Sequence, residues 1–152
     1  MRLLRQRTPD AKLWIVGDVP QRAALEAAAP PGVTFHGRVN DITKQRLMDS
    51  AHALVVTSVR EGWGLVVDEA AATGTPAVGY DIDGLRDSVL AAGGVLVAPS
   101  PAALARPLAD RLPGWSLDPA RDGWSGGATT WDEVAHQVLD SLERRSVAAH
   151  RG

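Results

Sequence analysis

An α/β fold built on a doubly wound parallel sheet is what this sequence predicts, and three observations predict it. Short apolar runs rich in β-branched residues recur along the chain, helix-like stretches separate them, and Gly and Pro fall at the joins. In order, the runs are Leu13 to Val16, Val33 to Phe35, Ala53 to Thr57, Pro76 to Gly79 and Gly94 to Val97. Continuous apolar runs of this length read as parallel strands buried on both faces. The intervening stretches near 20–29, 43–51, 65–73, 84–91 and 101–112 read as helices, with no internal repeat. Pro30, Pro31 and Gly32 stop the first of these, and Gly74, Thr75 and Pro76 stop the third before the next strand.

Residues 1–112 therefore form the predicted domain. From 113 to 130 the text becomes rich in Gly, Asp, Ser and Trp, which predicts an extended surface connection without a strand. A last helix is expected over 131–146. Thr130 caps it, Glu133 completes a capping box, and Trp131, Val134, Val138 and Leu142 share a face that packs back on the domain.

Composition narrows the function classes. A chain of 152 residues suits one core, burying roughly 70% of the surface of its unfolded form. With 22% charged residues and a net charge of −2, no broad nucleic-acid surface is expected. The lack of cysteine removes disulfides, thiolate nucleophiles and cysteine zinc sites, and is compatible with a reducing cytoplasm. The apolar runs fall well short of the ~20 residues that cross a bilayer, so no transmembrane segment is expected.

In an open parallel sheet, ligands sit beyond the carboxyl ends of the strands, which points to the segment after Thr57. It reads Arg60-Glu61-Gly62-Trp63-Gly64-Leu65. Gly62 and Gly64 allow close backbone approach, and free amides at the start of the next helix suit phosphate oxygens. Glu69 lies in the first turns of that helix, where its carboxylate suits the paired hydroxyls of a ribose. Glu61 precedes the glycines, nearer a reacting sugar. Two nearby glutamates are ordinarily a solvated, helix-favouring face, but the glycine-rich loop and the packed Ala70-Ala71-Ala72 run favour a site.

The spacing of Glu61 and Glu69, with GWGL between them and EAAATGTP after them, resembles the family 4 glycosyltransferases. The likeness extends through LWIVGDVP (13–20), VTFHGRVND (33–41), YDIDGLRDSV (80–89) and GGVLVAP (93–99). The resemblance implies a Rossmann-like, donor-binding C-terminal domain of the GT-B fold, taking a nucleoside diphosphate sugar while another domain holds the acceptor. It implies transfer with retention of anomeric configuration, from a UDP-, GDP- or ADP-sugar, without a metal or other cofactor. By position, Glu69 would hold the ribose and Glu61 would contact the donor sugar as the catalytic carboxylate. Gly62 and the backbone at Trp63, Gly64 and Leu65 would border the sugar and diphosphate. Arg38 and Val39 match the loop beside the base, and Lys44 would reach the same region. No covalent nucleophile or general base is assigned. The expected location is cytoplasmic, or peripheral at a membrane for a full-length enzyme.

Other candidates have plainer readings. Asp81-Ile82-Asp83 resembles the metal motif of a different glycosyltransferase fold, but its place between a strand and Gly84 predicts a turn or helix cap. The four histidines lack ligand spacing, and neither GxxxxGK nor GxGxxG occurs. A non-catalytic nucleotide-sugar-binding module or partner subunit, and another enzyme of the same fold such as an epimerase, remain alternative readings.

The chain also departs from the family pattern. The family's opening strand, with the phosphate-binding arginine and lysine that come after it, finds no match, and MRLLRQRTPDAK matches the helix leading into the second strand. The expectation is a fragment, an expressed piece or a reading frame with a misassigned start, lacking the acceptor domain and full activity. In the family's strand order, 3-2-1-4-5-6, the unmatched strand is central. Its loss predicts a gap between strands 13–16 and 53–57. Exposed edges pair readily, so the gap would close by direct pairing of those strands, by a segment of another copy through self-association, or by an absent partner.

Overall fold

The computed structural model describes residues 1–115 and positions 132, 135, 136 and 139. Eleven elements succeed one another in strict order: α1 (Arg2–Arg5), β1 (Leu13–Val16), α2 (Arg22–Ala28), β2 (Val33–Gly37), α3 (Asp41–Asp49), β3 (Leu54–Val56), α4 (Leu65–Ala72), β4 (Ala77–Tyr80), α5 (Leu85–Ala91), β5 (Val95–Val97) and α6 (Pro101–Arg111). The α/β alternation is the predicted one, with boundaries moved by a residue or two.

Local sequence accounts for the ends of the helices. Asn40 caps α3 by accepting a 2.8 Å hydrogen bond from the Thr43 amide, and Ser100 caps α6 by accepting from Ala103 at 3.2 Å. Pro101 opens α6, where its missing amide costs nothing. Pro107 lies inside the same helix and gives up one backbone bond there.

All strand pairs are parallel, and they fall into two groups: β1 with β2, and β3-β4-β5 in that order. This is the family order with its central strand left out. Direct pairing of β1 with β3, one of the three predicted closures, is not adopted among the described residues. One edge of β1 and one edge of β3 thus carry no ladder partner there.

Alternation along β4 builds the core. Ala77 belongs to an apolar cluster with Val56, Val67, Ala71, Leu85, Val89 and Ala92, which joins the sheet to α4 and α5. The next residue, Val78, points the other way and joins Leu4, Leu108 and Ala109 from α1 and α6. Helices on both faces make the sheet doubly wound. The β1-β2 pair is more open, with Trp14 and Val16 exposed.

The predicted connection 113–130 lies almost wholly outside the described residues, as does the packing of the predicted helix 131–146. Asp132, Ala135, His136 and Leu139 are helical, and all are exposed. Trp115 packs against the cluster of α1 and α6.

The short α1 belongs to the core through a single side chain, since Leu4 is 6% exposed and its neighbour Leu3 44%. Leu4→Ala should cost about 2–4 kcal/mol in urea unfolding, while Leu3→Ala should stay within about 0.5 kcal/mol.

Candidate functional site

The connection from β3 to α4 sets the site. The chain leaves the sheet after Val56, crosses an exposed loop and enters α4 through Gly64, whose φ of 75° and ψ of 50° are left-handed and suit glycine. The Val67 amide turns back to the Gly64 carbonyl at 2.7 Å, closing the first turn. Among the described residues the amides of Trp63, Gly64, Leu65 and Val66 have no protein acceptor, as expected at a helix start. They form a patch of donors at the carboxyl end of the sheet.

Helix α4 buries Val67, Ala70 and Ala71. The half-exposed Glu69 turns toward α3, where Lys44 Nζ donates to its Oε1 at 2.8 Å. Asp41, one turn back on α3, lies 3.4 Å from the same ammonium. The Lys44 amine is held above its ordinary value of 10.5, first by the hydrogen bond to Glu69, against the opposing effect of burial, with Asp41 adding to the rise. Lys44 and Glu69, 25 residues apart, thus form one charged unit.

The other end of the site is the loop itself. Glu61 is exposed, and its Oε1 accepts from the Gly62 amide at 3.2 Å. Trp63 Nε1 donates to Asp68 Oδ2 at 2.6 Å, which pins the indole across the first turn of α4. Asp68 is therefore a site residue that the sequence reading missed. Its only signal was a carboxylate five residues beyond a tryptophan at a helix start. Gly84 was also missed as a structural partner: a Cβ there would overlap the Glu61 carbonyl. The loop consequently rests on the start of α5.

Leu65 joins this arrangement through its amide, while its side chain is exposed at the head of α4. Not every predicted residue joins it. Arg38 is exposed beyond β2, with no ion pair among the described residues, and Val39 beside it is half-buried. Asp81 and Asp83 are taken up by Arg86, at 2.6 and 3.6 Å, which agrees with their reading as a turn at a helix start. His36 stands edge-on to Trp14, with ring centroids 6.2 Å apart, and its Nε2 is buried without a partner among the described residues.

The chain is similar to known proteins of one family. The family model described as glycosyl transferases group 1 matches residues 1–112. A 2-deoxystreptamine N-acetyl-D-glucosaminyltransferase of Streptomyces fradiae is 32% identical over 143 residues, covering 90% of this chain and 33% of that protein. A D-inositol 3-phosphate glycosyltransferase of Streptomyces griseus is 34% identical, covering 86% of this chain and 30% of its own length. Among solved structures, sucrose-phosphate synthase from Thermosynechococcus elongatus superposes with a TM-score of 0.71 at 28% identity, over 97% of this chain and 42% of that one. The chain thus spans about a third of the curated relatives it matches. No described helix is long and apolar enough to cross a membrane.

The Lys44–Glu69 pair makes a checkable statement. Because the folded pKa of Lys44 lies above 10.5, the pair contributes its full stability below that pH, and the contribution fades as pH rises through the folded value. Side-chain NMR should place the Lys44 midpoint above 10.5 in the wild type. In Glu69→Gln it should fall back toward that value. An unchanged midpoint would mean that Glu69 does not hold the ammonium.

Proposed function

The chain belongs to the glycosyl transferases group 1 family, and from that premise we propose that it forms the donor-binding half of a retaining glycosyltransferase. The observation that carries this reading is the placement of Glu69, held by Lys44 and one helical turn beyond a glycine-rich loop with free amides. A ribose set against Glu69 would give its two vicinal hydroxyls as donors to the carboxylate. Lys44 keeps that carboxylate oriented through its 2.8 Å hydrogen bond. A nucleoside diphosphate sugar lying along the start of α4 would then bring its phosphates to the amides around Trp63, Gly64 and Leu65.

Glu61 serves the sugar end in this reading. As the bond from the anomeric carbon to the phosphate oxygen breaks, positive charge grows on the ring and negative charge on the departing diphosphate. The Glu61 carboxylate is placed to stabilise the first, and the amides to stabilise the second. The acceptor oxygen attacks the same face of the sugar and passes its proton to the departing diphosphate oxygen, so configuration is retained without a covalent intermediate. The acceptor itself is presented by another domain. Arg38 and Val39, at the end of β2, border the base. The mechanism needs no metal, and the donor is a UDP-, GDP- or ADP-sugar.

Titration calorimetry of the 152-residue chain with UDP, GDP and ADP, each with and without an attached hexose, tests the proposal. One nucleoside diphosphate should bind. Glu69→Ala should weaken it by about 1.5–3 kcal/mol, the usual loss for hydrogen bonds to a charged group. Glu61→Ala should weaken the sugar-bearing donor more than the bare nucleotide. Failure of every nucleotide to bind at millimolar concentration, or indifference of ribonucleotide affinity to Glu69→Ala, would sink the assignment.

A further inference from the structure

The two glutamates stand on separate supports. Glu69 is held from α3 by Lys44. The loop of Glu61 is held instead by the start of α5, and the contact there is backbone on backbone. Gly84 caps α5 with φ 82° and ψ −33°, and its α-carbon lies flat against the loop. A Cβ at this position would overlap the Glu61 carbonyl oxygen and stand 2.7 Å from that of Gly62. Neither oxygen belongs to a flexible side chain that could swing away.

The contact is reciprocal. A Cβ on Gly64 would stand 2.9 Å from Leu85 Cδ2 and 3.1 Å from Ser88 Oγ, and Leu85 and Ser88 are fully buried. Gly62, two residues before Gly64 in the loop, has nothing within 4 Å of such an atom. Crowding is thus confined to the points where loop and helix meet. The receiving helix is itself fixed. Arg86 Nε binds Asp81 Oδ1 at 2.6 Å, the Arg86 amide binds the Ile82 carbonyl at 3.0 Å, and Ser88 Oγ donates to the Leu85 carbonyl at 3.1 Å. Because the fixed body is α5, a group added at Gly84 displaces the loop.

From this interlock we infer that Gly84 is a positioning residue for Glu61, setting how the site meets the sugar of a nucleoside diphosphate sugar while leaving the Lys44–Glu69 ribose end untouched. The inference rests on the donor-site reading above. Enlarging Gly84 shifts the carbonyls of Glu61 and Gly62, and with them the Glu61 carboxylate. Glu69 is not among the nearest groups that a Cβ on Gly84 would meet, and its partner Lys44 comes from α3.

The test compares ligands in one calorimetric series on the full 152-residue chain, wild type and Gly84→Ala. The probes are UDP, GDP and ADP against UDP-glucose, UDP-N-acetylglucosamine, GDP-mannose and ADP-glucose. Gly84→Ala should leave the Kd of the bare nucleoside diphosphate within about threefold and raise that of its sugar-bearing form on the order of tenfold. Thermal unfolding establishes that the variant is folded. If it is not, Ser88→Thr provides the second arm: it keeps the hydroxyl and adds one methyl to the side chain that faces Gly64, and because the Gly64 amide also serves the diphosphate in this reading, both ligands should weaken, the sugar-bearing form by the larger factor. Equal weakening of both ligands, or no change in either, in a folded variant overturns the inference while wild-type binding leaves the donor site standing. If the wild type binds no nucleotide, the donor-site reading falls and this inference falls with it.

Discussion

Burial of β4 on both faces is the constraint on which the rest of the structure depends. Its Ala77 and Val78 are almost completely buried, yet they belong to different apolar clusters because successive side chains of a strand leave opposite faces. A strand apolar on both faces needs a helix layer on each, and α4 with α5, and α1 with α6, are those layers. Parallel pairing then directs the loops after β3 and β4 to the same end of the sheet. The glycine-rich loop and the start of α5 meet there because the sheet leaves them adjacent.

Two different kinds of force shape the meeting place. On the α3 side, the contact is electrostatic and adjustable, an ammonium shared between Glu69 and Asp41. Such a link tolerates small movements, since long side chains can track one another. On the α5 side the contact is steric, with Gly84 against the carbonyls of Glu61 and Gly62. Steric contacts rise steeply with displacement and so fix position more sharply than charge does.

The grouping of strands shows the same economy of causes. Each of β1 and β2 is paired, but their sheet is the more open part of the molecule, with Trp14, Val16, Val19 and Leu25 exposed. Among the described residues the fully buried side chains are Ala77 and Val78 of β4 and, packed on that sheet, Val67 and Ala70 of α4 and Leu85, Ser88 and Val89 of α5. Burial therefore concentrates under the loop of Glu61 and Gly64, and thins toward β1 and β2. The most deeply buried portion of the fold is the portion that carries the loop of Glu61 and Gly64.

Much of this was legible in the chain itself, for a physical reason: elements are dictated by local chemistry. Apolar runs of four or five residues, glycine and proline at the joins, and caps such as Asn40 and Ser100 fix the α/β alternation wherever the chain folds. The loop between β3 and α4 could likewise be marked as a candidate site, because its glycines and glutamates lie close together along the chain. What tertiary structure alone decided are the contacts between residues far apart in sequence. The order of strands among the alternatives, the Lys44 bond to Glu69 across 25 positions, and the seating of Gly64 on Leu85 and Ser88 depend on how the elements pack. Gly84 is the clearest case. In the sequence it is a turn residue before a helix, and only packing brings it against the Glu61 carbonyl, where the lack of a side chain becomes a requirement.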